Sequence, residues 1–128
     1  MTLESLMNVD GTIDHDTGSA ISGGSFVITS TPSTEVKIKN KGVYRGTLAG
    51  TFSGGNATGF VSGSVAGSWS INPTAANVKA DNQLVIRVGD TGLLNATGTI
   101  DPPASPPTGP VAGSVVVLDA GQGEVDGD

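Results

Sequence analysis

The chain has 128 residues, enough for one domain, and sets 20 glycines and 7 prolines against 36% hydrophobic residues. Glycine and proline weaken helix interiors by about 1 and 3 kcal/mol, so this composition excludes long helices and describes short strands joined by turns. A formal charge of −6 argues against nucleic acid as a partner, because phosphate binding needs a positive face. With one Trp, one Tyr and three Phe, the core must be built from Val, Ile, Leu and Ala, and so thin a core calls for a sheet closed on itself or for a partner. The absence of cysteine rules out disulfides and thiolate chemistry. No apolar run approaches the roughly 20 residues of a spanning helix, and the first residues lack a basic flank followed by an apolar stretch, so the chain is expected to be made in the cytoplasm.

Residues 1–24 read as an N-terminal extension and loop. Leu3, Leu6 and Met7 would suit one helical turn or a short docking segment, Asp10-Gly11 is a turn signal, and Thr12-Ile13 opens a short extended piece that carries His15 between Asp14 and Asp16. Gly18 to Gly24 reads as loop, and Ser25-Phe26-Val27-Ile28-Thr29 alternates as a strand does. Thr31-Pro32-Ser33 then leads into Val36-Lys37-Ile38, Lys39-Asn40 and Lys41-Gly42-Val43-Tyr44-Arg45. Lys37, Lys39 and Lys41 alternate, which in a single strand places their ammonium groups on one solvated face. Gly46 to Gly67, anchored by Leu48, Phe52, Phe60, Val61 and Val65, is expected to form short strands and wide turns.

The second half repeats this text. Val78-Lys79-Ala80, Asp81-Asn82 and Gln83-Leu84-Val85-Ile86-Arg87 align without gaps on the segment from Val36, so that Asn40 meets Asn82, Val43 meets Val85 and Arg45 meets Arg87. Asp and Asn tolerate the left-handed backbone of a tight turn, so each copy is predicted to be a β-hairpin. Gly67-Ser68-Trp69 echoes Gly24-Ser25-Phe26 ahead of its copy, giving a duplicated domain over 25–118 with units of about 25–66 and 67–100. Gly92 to Ile100 offers a further strand, and the five prolines of 101–110 favour an extended, polyproline-like linker. Val111 to Leu118 is the strongest β segment, and its opening repeats Val65-Ala66-Gly67-Ser68, as the start of a third, truncated unit would. Residues 119–128 form an acidic tail. All six basic residues lie in the two copies, while Glu4, Asp10, Asp14, Asp16, Asp119, Glu124, Asp126 and Asp128 gather at the ends.

No catalytic set emerges. His15 has no nucleophile motif around it, and Asp81, Asp90 and Asp101 fall where turn chemistry already accounts for them. Asp14-His15-Asp16 could present alternate side chains on one face and Asp119 to Asp128 lacks the spacing of a calcium loop, but a lone His and scattered acids read as surface, and Gly54-Gly55 lacks the lysine of a phosphate loop, so no metal or cofactor is expected. The Asn-Ala-Thr sequons at Asn56 and Asn95 read as chance.

The run from Val78 to Asp90 resembles the repeat of PAAR and PAAR-like proteins, in which a valine-led strand, an Asn-Gly-type turn and a Pro-Ala-Ala-Arg-x-Gly-Asp run follow one another. Asp81 and Asn82 sit at the turn, Arg87, Gly89 and Asp90 match the run, and Asn40 and Arg45 match in the first copy. The resemblance spans about Thr31 to Asp90. It departs where Leu84-Val85-Ile86 replaces Pro-Ala-Ala and where the first copy ends Arg45-Gly46-Thr47. Members form a three-sided β-prism or cone that caps the trimeric spike of contractile injection systems such as type VI secretion systems and phage tails. The resemblance therefore implies an all-β structural tip, one copy per spike, transient membrane contact, and extensions able to carry effectors. The family's tip metal, held by three histidines and a cysteine, cannot be reproduced by one His and no Cys. Val115, Val116 and Val117 are expected to be buried either in the core or against the spike. The other reading is a β-rich phage decoration or surface adhesion protein that binds a lattice or a glycan.

Overall fold

The computed structural model describes residues 4–123 and 125–127, leaving the Met1 to Leu3 end and the Glu124 and Asp128 carboxylates outside the described residues. The fold is all-β. Twelve strands run in chain order: β1 Glu4–Ser5, β2 Thr12–His15, β3 Ile21–Ile28, β4 Lys37–Ile38, β5 Lys41–Gly42, β6 Leu48–Ala57, β7 Val65–Ile71, β8 Lys79–Ala80, β9 Gln83–Leu84, β10 Thr91–Thr99, β11 Thr108–Asp119 and β12 Asp126–Gly127. Six of them form one antiparallel sheet in the order β2-β11-β10-β7-β6-β3, a nearly closed barrel whose edges, β2 and β3, face each other across a seam. The other six pair as two short hairpins, β4-β5 and β8-β9, and a third, hairpin-like pair, β12-β1, whose strands come from opposite ends of the chain, all at the same end of the barrel.

Alternation builds the interior. Leu48 and Phe52 on β6, Val65, Trp69 and Ile71 on β7, Leu94 and Ala96 on β10, and Val115 and Val117 on β11 are buried together. Between them stand outward-facing Thr51, Ser68, Ser70, Leu93 and Asn95. Three further core residues, Met7, Tyr44 and Ile86, enter from the hairpin end and plug the barrel. Their backbones form a closed ring: Tyr44 N donates to Met7 O (3.0 Å), Ile86 N to Tyr44 O (3.1 Å) and Met7 N to Ile86 O (2.8 Å). Burial pushes the Tyr44 phenol up from its ordinary value, so the ring presents only neutral side chains to the barrel.

Two further sets of bonds follow the same cycle. Val43, Val85 and Leu6 donate to the carbonyls of Val36, Val78 and Val125, each within its own hairpin. Val9, Gly46 and Val88 donate to Gly42, Leu84 and Ser5, each in a neighbouring hairpin. Lys37↔Gly42, Lys79↔Leu84 and Asp126↔Ser5 pair in the same register. In the barrel, Ile28↔Gly50, Ile71↔Gly92 and Val117↔Ile13 correspond in turn. Leu6, Val43 and Val85, with Ile38, Ala75 and Ala80, form a second apolar cluster beneath the hairpins.

Several expectations are corrected by this architecture. Residues 4–24 are not an extension, because β1 and β2 complete the hairpin set and the barrel. The stretch Gly18–Gly24 is loop only as far as Ala20, since β3 starts at Ile21 and bends at Gly23 and Gly24, whose φ values are 64° and 73°. The segment Gly46–Gly67 holds a strand of 10 residues, β6, rather than short pieces. Residues 101–110 are not a linker: they turn β10 into β11, with Asp101-Pro102 and Ser105-Pro106 cis and Pro110 paired with Thr97. Val111 to Leu118 lies in β11, which pairs with β2 of the N-terminal segment. Lys37, Lys39 and Lys41 do not share a strand face, since the chain reverses at Lys39-Asn40, although all three remain exposed.

Glycine lets the barrel strands approach. A Cβ on Gly50 would lie 1.8 Å from the Val27 carbonyl oxygen, and one on Gly92 would lie 1.8 Å from that of Ser70. Gly50→Ala and Gly92→Ala should each cost more than about 2 kcal/mol in urea unfolding, because backbone must move. Gly123, with nothing within 4 Å of a built Cβ, should accept Ala within about 0.5 kcal/mol.

Candidate functional site

The residues singled out by the repeat gather at the hairpin end. Lys39 and Asn40 (φ 54° and 63°) and Asp81 and Asn82 (φ 51° and 64°) are the central pairs of two turns with positive φ at both positions, the type I′ geometry that matches strand twist. Arg87 is buried beneath the hairpins. Its Nη1 donates to Gly127 O (3.1 Å) and its Nη2 to Thr74 Oγ1 (3.0 Å), while Nε finds no partner. Thr74 donates in turn to Asp90 Oδ1, and Asp90 Oδ2 accepts the Arg87 backbone N–H at 2.9 Å. Both oxygens of the buried Asp90 carboxylate are thus engaged in holding the chain. Gly89 carries φ 88° and donates to Val117 O at 3.0 Å, and Val117 returns a bond to Asp90 O at 2.9 Å. The Gly-Asp pair therefore ties the ring to β11.

Arg45 stands at the matching place in its copy. Its Nε meets Asp81 Oδ2 at 2.9 Å, and its Nη1 donates to the Thr31 carbonyl. Hydrogen bonding from Ser33, then from Arg45, holds the Asp81 carboxyl below the usual carboxylate range. A third member escaped the sequence reading. Asn8 is fully buried, its Nδ2 donates to Ile38 O at 3.3 Å, and its Oδ1 accepts Asp10 N at 2.9 Å. Ile38 and Gly127 occupy the same place in their hairpins, so Asn8 and Arg87 make the same bond. Each of these side chains crosses from its own ring strand to a neighbouring hairpin and latches it. The signal was Leu6-Met7-Asn8-Val9 against Val85-Ile86-Arg87-Val88, short and with Asn in place of Arg.

The three valines behave differently from a docking strip. Val115 and Val117 lie in the barrel core and cannot meet a partner while the barrel stands, whereas Val116 points outward and is partly exposed. Val116→Asp would therefore place its carboxylate at the surface, which removes the expected burial penalty. His15 is no surface residue either: its ring packs against Phe26 and Phe52, with Nε2 2.6 Å from Gly23 O. Asp14 and Asp16 bind the backbone N–H groups of His15 and Thr17. Among the described residues, no three His, Asp or Glu side chains are placed to hold a metal.

Comparison with protein-family models, with curated proteins and with solved structures finds no match to this chain.

Two outcomes test the latches. Arg87→Met keeps the apolar stem and removes charge-assisted hydrogen bonds, and should cost about 1.5–3 kcal/mol in chemical unfolding. Arg45→Met should cost clearly less, because that guanidinium is partly solvated. The second outcome concerns acid. Since the Asp81 carboxyl is lowered in the folded state, its contribution is complete above the ordinary carboxylate pKa of about 3.9 and fades as the pH falls below it. Asp81→Asn should flatten the stability profile in that acid window by lowering stability at neutral pH, where the contribution it removes is complete.

Proposed function

We propose that the protein is a PAAR-like tip that caps the trimeric spike of a contractile injection system or phage tail, with no catalytic role. The observation that carries this reading is the ring of Met7, Tyr44 and Ile86, with one hydrogen-bond cycle repeated about it three times by a single chain. A lone copy seated on a threefold partner normally satisfies one of three equivalent surfaces and leaves two unmatched. A chain that presents the same register three times removes that mismatch. On this reading the molecule is the three-sided cone of the family. The residues that resemble the family's run, Arg45, Arg87, Gly89 and Asp90, hold its hairpins. Packing of Leu6, Ile38, Val43, Ala80 and Val85 with the Asn8, Arg45 and Arg87 latches holds the hairpin end together.

The hairpin end suits docking. Val36 and Val125 hold equivalent places and are 39% and 41% exposed, with Val9 beside them at 37%. The far end, with the loops at 16–20, 58–64 and 100–107, would lead during membrane puncture, after assembly in the cytoplasm and delivery outside the cell. Effector cargo would travel as an attached extension. A second reading, a phage decoration or adhesion protein that binds a lattice or glycan, draws on a shallow depression on the barrel's outer face, floored by Ala66, Ser68, Asn95, Thr97 and Ala112 beside exposed Leu93.

Native mass measurement of the tagged chain purified from its own cells separates the two. A tip should emerge as one copy with three identical partner chains. Val36→Asp combined with Val125→Asp should release it without loss of folding, since both positions are exposed. A stable homotrimer without a spike protein would favour decoration or adhesion.

A further inference from the structure

Charge is absent from most of the barrel wall. Strands β3, β6, β7 and β10 contain no charged residue, and β11 holds only Asp119, at its hairpin end. At the end away from the hairpins this wall carries a polar pocket of about 420 Å³, within the roughly 300–1,000 Å³ range of small-molecule sites. Ser22 and Asn56 form its floor, and the loop after β6 raises Thr58, Phe60 and Ser62 beside them. We propose that this pocket binds a neutral saccharide, with the Asn56 carboxamide as its fixed donor and Phe60 as its apolar wall.

The register explains the floor. Ser22 lies opposite Asn56 in the β3-β6 ladder, and because their neighbours Ile21 and Ala57 pack into the core, both side chains turn outward. The loop then orients the carboxamide. Asn56 Oδ1 accepts the Gly63 backbone N–H at 2.8 Å and the Ser62 hydroxyl at 2.9 Å. A backbone N–H only donates, so the oxygen faces the loop and the NH2 group faces away from it. Among the described residues nothing accepts from Nδ2, and Gly23 keeps the space beside it clear, since a Cβ there would lie 2.9 Å from that nitrogen. Ser62 has given its proton to Asn56 and presents lone pairs, while the exposed hydroxyls of Ser22 and Thr58 are able to donate or accept. A fixed donor among such hydroxyls matches vicinal alcohols, each of which both donates and accepts. Phe60 is half-buried with Gly98 against its ring edge, and an aromatic ring beside polar groups offers its electron-rich face to the C–H face of a pyranose.

Charge decides the class of ligand. No cation lines the pocket, and neither do Asp16 and Asp101, the acids of the adjoining loops. A phosphate or carboxylate would find no counter-charge there, and a metal ion no carboxylate. An acyl chain would bury the polar floor without hydrogen bonds. The pocket lies at the opposite end from the hairpins and apart from the outer-face depression at Asn95, so ligand reaches it with or without a docked spike.

NMR titration of the full chain with maltotriose, cellotriose, mannotriose and chitotriose tests the pocket. At least one of them, at millimolar concentration, should shift the Asn56 side-chain amide and the backbone of 56–63 and leave the hairpin end unmoved. Asn56→Asp keeps both acceptor bonds and replaces the donor, so it should fold and bind about tenfold more weakly. Ser22→Phe, at an exposed strand position, should fill the pocket and abolish the shifts while the spectrum of the fold is retained. No shift with any of the four, shifts spread evenly over the surface, tighter binding of anionic trigalacturonate, or unchanged binding by folded Asn56→Asp would overturn the proposal. None of these outcomes bears on spike docking, which is read by mass at the hairpin end.

Discussion

Three backbone hydrogen bonds, from Tyr44 to Met7, Ile86 to Tyr44 and Met7 to Ile86, close a ring between three segments far apart in the chain, and the remainder of the molecule is arranged about it. Each bond contributes about 0.5–1.5 kcal/mol, less than the 1.5–3 kcal/mol of burying a side chain such as Met7 or Ile86. The bonds therefore set the register, and the side chains supply the stability. Because the ring is cyclic, no strand of it can leave without breaking two bonds and withdrawing a plug from the barrel.

That arrangement explains how a chain so poor in aromatics is able to fold. Its apolar residues are divided between the barrel interior and the smaller cluster under the hairpins, with the ring between them. The smaller cluster is too small to stand by itself. Polar latches complete it: Arg87 and Asn8 hold carbonyls of neighbouring hairpins, and Arg45 holds a turn through Asp81. Burying a guanidinium this way is costly, and Gly127 O and Thr74 Oγ1 make it tolerable by accepting its hydrogen bonds, with Thr74 held in turn by Asp90.

Departures from the cycle are where the chain has individuality. Ile13 stands where glycine stands twice, and His15 stands where Phe and Leu stand, both on the strand that leaves the barrel open. Edge strands invite pairing with other chains. Here β2 is only 4 residues long and β3 is bent at Gly23-Gly24, features that blunt an edge.

The sequence by itself determined the β class, through glycine and proline content, and the turns at Lys39-Asn40 and Asp81-Asn82, because a turn with positive φ is decided by residues next to one another. The gathering of Arg45, Arg87, Gly89 and Asp90 at one end was legible for the same reason: they keep fixed offsets from those turns. Only the tertiary structure decided the third hairpin, since its strands come from opposite ends of the chain and no local text joins Asp126 to Ser5. It likewise decided the place of Asn8, the burial of Val115 and Val117 rather than Val116, and the turn made by the prolines after β10. Alternation along a strand shows that two faces differ. Which face lies inside is set by pairing with distant strands, and that pairing here depends on a ring to which three separate parts of the chain contribute.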